Sequence, residues 1–212
     1  MGSIKSQAFI LRLRPYGEGK SIIDFYSREE GRQAGVARGL DKPGSKLRSH
    51  LQPGNLVRLE FRESKGKGLP TVTSALAEDS FPSLRENSLL FFYSSYYLEL
   101  IEAFTREGEG DESLFMLLYA AFKALPHLNP LLLSRWFEVQ LMTHTGFGDF
   151  YLHGTGATPK EQTHLRFLAE ADLKVLPRLK ISDEDLKQLK KITLFSIQQV
   201  PERKIKSADF ID

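Results

Sequence analysis

Two hundred and twelve residues, 41% hydrophobic and 26% charged, form an ordinary globular composition that allows one large or two small domains and excludes wholesale disorder. The longest apolar run, Leu114 to Phe122, is far short of the roughly 18–20 residues that span a bilayer, and the first twelve residues lack a signal-peptide core, so a soluble cytoplasmic protein with no membrane partner is expected. Zero cysteines exclude disulfides, thiol nucleophiles and cysteine-based zinc or iron–sulfur sites, and the net charge of +2 conceals an asymmetry between the two halves. Residues 1–80 carry 14 Lys and Arg against 9 Asp and Glu, a net of +5, while residues 81–212 carry 15 against 18, a net of −3. The densest bases, Arg38, Lys42, Lys46 and Arg48, form a candidate phosphate-binding patch. A solvated loop with no ligand is the competing account.

In chain order, the first 80 residues read as five short strands. Residues 7–15 alternate, with Phe9, Leu11 and Leu13 expected on one face and Ala8, Ile10, Arg12 and Arg14 on the other, and Pro15 ends the run. Residues 21–27 are β-branched and aromatic, residues 28–32 supply a glycine turn, and residues 33–38 return as a hairpin partner. Residues 55–62 alternate with Val57, Leu59 and Phe61 opposite Leu56, Arg58 and Glu60, and the glycines of residues 64–68 lead to a last strand at 69–77. The connection at 39–54 is too long for a tight hairpin. Five strands with one long connection fit a Greek-key barrel such as an OB-fold, and an SH3-like barrel fits as well.

Around Pro82 the hydrophobic period changes from two to 3.6. Leu89, Phe92 or Tyr93, Tyr96, Tyr97, Leu100, Ile101 and Phe104 predict a helix over 85–107, with Gly108 and Gly110 after it. Further helices are predicted over 112–125, 130–145, 160–176 and 183–200, the second of these opened by Asn129 and Pro130. Residues 146–159 read as an irregular loop, and the polar tail 201–212 as either frayed or docked. The fold class is therefore α+β, β then α: an N-terminal five-stranded barrel over 1–80 and a mainly helical domain over 81–212.

Signals for catalysis are weak. Gly17–Lys20 lacks the spacing of a phosphate loop, none of the five histidines forms a metal-binding pair, and no G-x-S-x-G elbow exists. Binding fares better. Arg12 and Arg14 share a strand face, and Arg32, Arg38, Lys42, Lys46 and Arg48 come from neighbouring segments. Tyr16, Phe25 and Tyr26 lie near these bases and are candidates for stacking on unpaired bases, although Phe25 also suits the core. In residues 134–141, Arg135 beside Trp136 and Phe137 has the composition of a pocket that pairs a carboxylate; an amphipathic core helix is the alternative.

The stretches AFILRLRPYGE (8–18), FYSREEGR (25–32) and GVARGLDKPGSKLRSHLQPGNLVRLEF (35–61), with SRWFEVQLMTHTGFG (134–148) and RKIKSADF (203–210), resemble the RecO family of recombination mediators in sequence and spacing. The resemblance implies an N-terminal OB-fold, a helical domain and no enzymatic turnover. It also implies binding to single- and double-stranded DNA, annealing of complementary strands, and action with RecR to load RecA onto DNA coated with single-stranded DNA-binding protein. The positions matching the family's basic surface are Arg14, Arg32, Arg38, Lys42, Lys46 and Arg48, and Arg135 matches the basic position facing the acidic tail of single-stranded DNA-binding protein. Many relatives carry a four-cysteine zinc module after the position of Phe147. Here no cysteine follows, so zinc is expected to be absent and residues 148–165 shorter and more mobile than in zinc-bearing relatives. A protein-interaction scaffold and an RNA-binding OB protein remain as alternatives.

Overall fold

The computed structural model describes residues 3–42, 44–64, 66, 68–151, 155–200 and 205–211. Strands β1 (Ser3–Pro15), β2 (Lys20–Ser27), β3 (Gly31–Arg38), β4 (Leu56–Arg62) and β5 (Thr71–Asp79) close into a barrel in the order β1-β2-β3-β5-β4. Closure runs through antiparallel β1–β4 pairing and a parallel pairing of β3 with β5 at Val36 and Thr71. A short helix, α1 (Lys46–His50), lies in the connection from β3 to β4. This five-stranded Greek-key order is the OB arrangement, which decides the choice left open with an SH3-like barrel.

The barrel is filled by side chains at every second position. Val57, Leu59 and Phe61 point inward as their alternation predicts, against Ile23, Phe25, Ala37, Val72 and Ala75. α1 brings Leu47 against this core, with Leu40 before it and Leu51 after it buried there. The Asn55 side chain fixes the cap by donating to the carbonyl oxygens of Ser49 and His50 at 3.2 and 2.8 Å.

β1 departs from its predicted faces. The ladder to β2 shifts register between Ile10 and Arg12, which leaves Leu11 as a bulge. Ala8 and Ile10 therefore face the barrel core before the bulge and Leu13 faces it after. A single unbroken alternation cannot do this: Phe9 is divided from Ala8 and Ile10 as expected, but Leu13 shares the inward face with Ala8 and Ile10, and Arg12 and Arg14 do not. Phe9 instead packs outside the barrel against Phe81 and Phe115, at centroid distances of 6.1 and 5.4 Å. Arg12 and Arg14 still share an outward face, because both follow the bulge.

The chain divides into two compact units, Met1–Phe81 with Thr105–Phe115, and Pro82–Phe104 with Met116–Asp212. Residues 105–115, expected with the helices, thus belong to the barrel unit. Their backbone meets the β2–β3 turn closely: a Cβ on Gly31 would lie 2.1 Å from the Glu109 carbonyl oxygen, and one on Gly110 would lie 1.9 Å from that of Glu29. Gly31 also has φ of +68°, so glycine is required there twice over. The Gly108 N–H donates to the Arg32 carbonyl at 2.9 Å, and the buried Tyr26 hydroxyl donates to that of Asp111 at 3.2 Å.

The helical unit contains α2 (Pro82–Glu86), α3 (Ser88–Phe104), most of α4 (Glu112–Ala124), α5 (Pro130–His144), α6 (Pro159–Glu170) and α7 (Asp183–Gln199). The helix predicted over 85–107 is broken between Glu86 and Ser88, and the one over 160–176 ends at Glu170 before a 3-10 turn, Leu173–Arg178, that contains Pro177. Asn129 caps α5 and Thr158 forms a reciprocal capping box with Glu161 on α6. α5 is buried on nearly every side and is the axis of the unit. Part of the predicted loop is ordered as a 3-10 turn, Gly148–Tyr151, because Tyr151 is buried and its hydroxyl meets that of Thr143 at 3.0 Å. Residues 152–154 of that loop and 201–204 of the tail lie outside the described residues. Residues 205–211 of the tail are docked: Glu99 accepts hydrogen bonds from the Lys206 and Ser207 backbone N–H groups at 3.0 and 2.8 Å and from the Ser207 hydroxyl. Among the described residues, no helix is long and apolar enough to cross a membrane.

Candidate nucleic-acid interface

The β2–β3 ladder places Lys20 directly opposite Arg38. Like charges facing each other across a ladder repel, so the pair costs free energy unless an anion sits between them. The Gly39 N–H continues the ladder to the Gly19 carbonyl at 2.9 Å, which draws the β1–β2 turn and the β3–α1 segment together. Lys42 then folds back over Gly39, where a Cβ would come within 3.7 Å of its stem. Lys20, Arg38 and Lys42 line a cleft of about 560 Å³ with Glu18 and Asp41. All three cations are exposed, and none is ion-paired among the described residues.

The other predicted bases are distributed differently. Arg14 is held by Asp24 through two hydrogen bonds of 3.0 and 2.7 Å, and Arg12 is exposed on the same outward face. Arg32 is half-buried and donates to the Thr105 carbonyl at 3.1 Å. Arg14 and Arg32 line a second hollow of about 240 Å³ with Ile22 and Ala34. Lys46 and Arg48 are exposed on α1, just beyond Lys42. The arrangement thus brings Arg38 and Lys42 together, ties Arg14 and Arg32 to protein partners, and adds Lys20, which the sequence reading omits. The turn at 28–30 contains the missing signal. Counting back from it along the hairpin pairs position 38 with position 20.

Of the three aromatic candidates, Phe25 is in the core and Tyr26 is buried, its hydroxyl pushed well above the usual phenol range by burial and then by Asp111. Only Tyr16 is exposed, at 52%.

Arg135 is not on the surface. Its side chain is 1% exposed and pairs at 2.5 Å with Glu138, which is 0% exposed and also accepts from the Tyr96 hydroxyl at 2.7 Å. The expected capture of a partner's tail by Arg135 is therefore corrected: a foreign carboxylate would have to displace Glu138 from the core. Among the described residues, no group of three His, Cys, Asp or Glu side chains is placed to hold a metal ion.

The barrel corresponds to residues 1–81, which match the family described as Recombination protein O N terminal; residues 85–148 match Recombination protein O C terminal. The chain belongs to the RecO family. It is 40% identical over 143 residues to the DNA repair protein RecO of Pelotomaculum thermopropionicum, covering 68% of this chain and 55% of that protein. It is 26% identical over a 241-residue alignment to the RecO of Desulforamulus reducens, covering 98% of this chain and 93% of that protein. With the RecO of Moorella thermoacetica it shares 28% identity, again over little more than half of the relative's length, 54%. Within a RecO fold, the cleft at Lys20, Arg38 and Lys42 lies where β2 begins and β3 ends, at one end of the OB barrel.

Proposed function

We propose that this chain acts in DNA repair as a non-enzymatic mediator whose barrel binds single- and double-stranded DNA through its phosphates. One observation carries the reading: three exposed cations, without an ion-pair partner among the described residues, converge on one cleft, and two of them face each other across a ladder. Such a cluster is relieved by a polyanion, and each neutralised phosphate releases counterions. Lys46 and Arg48 extend the same basic surface along α1, with Arg12 and Arg14 as outlying contributors. Neutralising the phosphates lowers the repulsion between two strands, which is the physical requirement for annealing.

The family relationship supports the rest of the proposal: action with RecR, loading of RecA onto DNA coated with single-stranded DNA-binding protein, and contact with the acidic tail of that protein through the helical unit. Arg135 is left out of that contact by its burial. A four-thiolate zinc site forms no part of the proposal, because the chain has no cysteine to supply its ligands.

Titration with single-stranded DNA, duplex DNA and RNA at several salt concentrations tests the proposal. It predicts salt-dependent binding of both DNA forms. Binding of none of them would favour a protein scaffold, and binding of RNA alone would favour an RNA-binding OB protein.

A further inference from the structure

We infer that Tyr16 is a stacking platform for one unpaired base of the strand whose phosphates the Lys20, Arg38 and Lys42 cluster neutralises. This rests on the DNA-binding reading above and adds to it a means of telling single strands from duplex.

The barrel strands bury their own rings: Phe9, Phe25, Tyr26 and Phe61 are all inside the unit. Tyr16 stays out at 52% exposure, and its side chain makes no ring contact or hydrogen bond among the described residues. Its place is set by the turn from β1 to β2. The Tyr16 N–H donates to the Lys20 carbonyl at 2.9 Å, so the ring belongs to the residue bonded to a wall of the basic cleft. Gly17 and Gly19, with φ of +64° and +63°, make that turn, and a Cβ on either would meet nothing within 4 Å.

The two kinds of group select for different things. Lysine and arginine bind phosphates whether or not the bases are paired. An aromatic face accepts a base only when that base is free of its duplex stack, and it accepts every base because each has a π-face. An exposed ring on the residue whose backbone is bonded to Lys20, at the edge of this cluster, thus favours unpaired strand without reading sequence.

The test compares full-length wild type with Tyr16→Ala and Tyr16→Trp, using single-stranded and duplex oligonucleotides of equal length across a salt series. Tyr16→Ala is expected to weaken single-strand binding about tenfold, to leave duplex affinity within about twofold, and to leave the salt slope unchanged. Tyr16→Trp is expected to retain single-strand affinity, with emission quenched by single strand and unaffected by duplex. Equal weakening of both DNA forms by Tyr16→Ala, or no weakening of either, overturns the inference while leaving the phosphate reading intact. Absence of salt-dependent binding by the wild type removes that reading and this inference together.

Discussion

Arg135 and Glu138 are opposite charges one helical turn apart, and both have been taken out of water. Their attraction is offset by the cost of desolvating two ions, so the intact pair adds little net stability, whereas removing one partner strands the other. Arg135→Ala is therefore expected to lower the unfolding free energy by about 3–5 kcal/mol, and pairing Arg135→Met with Glu138→Leu to recover most of that loss, as measured by denaturant unfolding. Burial, partly opposed by Arg135, holds the Glu138 carboxyl above the usual carboxylate range. The native state then binds more protons than the unfolded one between the ordinary and the raised pKa, so stability falls as pH rises through that window. Glu138→Gln should remove this fall from the pH dependence of unfolding; an unchanged pH profile would contradict it. The residue was visible in the sequence and its environment was not. Arg135 beside Trp136 and Phe137 suits an exposed pocket as well as a core, and only the packing around α5 settles which one is present.

At the scale of elements, the strands were legible wherever alternation ran unbroken, as in β4. β1 was misread because a bulge changes phase without changing composition, so Leu11 looks no different from its neighbours. The placement of residues 105–115 was also hidden, since their partners lie more than 70 positions earlier. Gly31 and Gly110 mark that contact from both sides. Gly31→Ala is expected to cost at least about 1–2 kcal/mol from its left-handed backbone alone, with the clash against Glu109 in addition. Gly110→Ala should act through its clash with Glu29. In both variants the Gly108 amide, bonded to Arg32, should exchange its hydrogen faster than in wild type. Unaltered exchange would mean that the close approach does not hold the segment in place.

At the scale of the whole molecule, the structure redraws the charge asymmetry seen in the sequence. Residues 105–115 contain one base and four acids, so the barrel unit as folded carries 15 bases and 13 acids, and the helical unit carries 14 of each. The contrast between a basic half and an acidic half becomes a polarity within the barrel. Glu107, Glu109, Asp111 and Glu112 belong to the segment held at the Ser27–Gly31 end of the β2–β3 ladder, where Glu112 pairs with Arg28. Lys20 and Arg38 are seven residues away at the other end, about 24 Å along the strands. On the proposed reading a polyanion is favoured at the Lys20–Arg38 end of the barrel over the other, a difference that net charge alone does not reveal. The most direct measurement is the salt dependence of single-stranded DNA binding by wild type and by the Lys20→Ala, Arg38→Ala, Lys42→Ala triple variant. Loss of three phosphate contacts predicts weaker binding and a log–log slope shallower by about 2. A triple variant that binds with the wild-type slope would contradict the assignment of this cleft as the DNA interface.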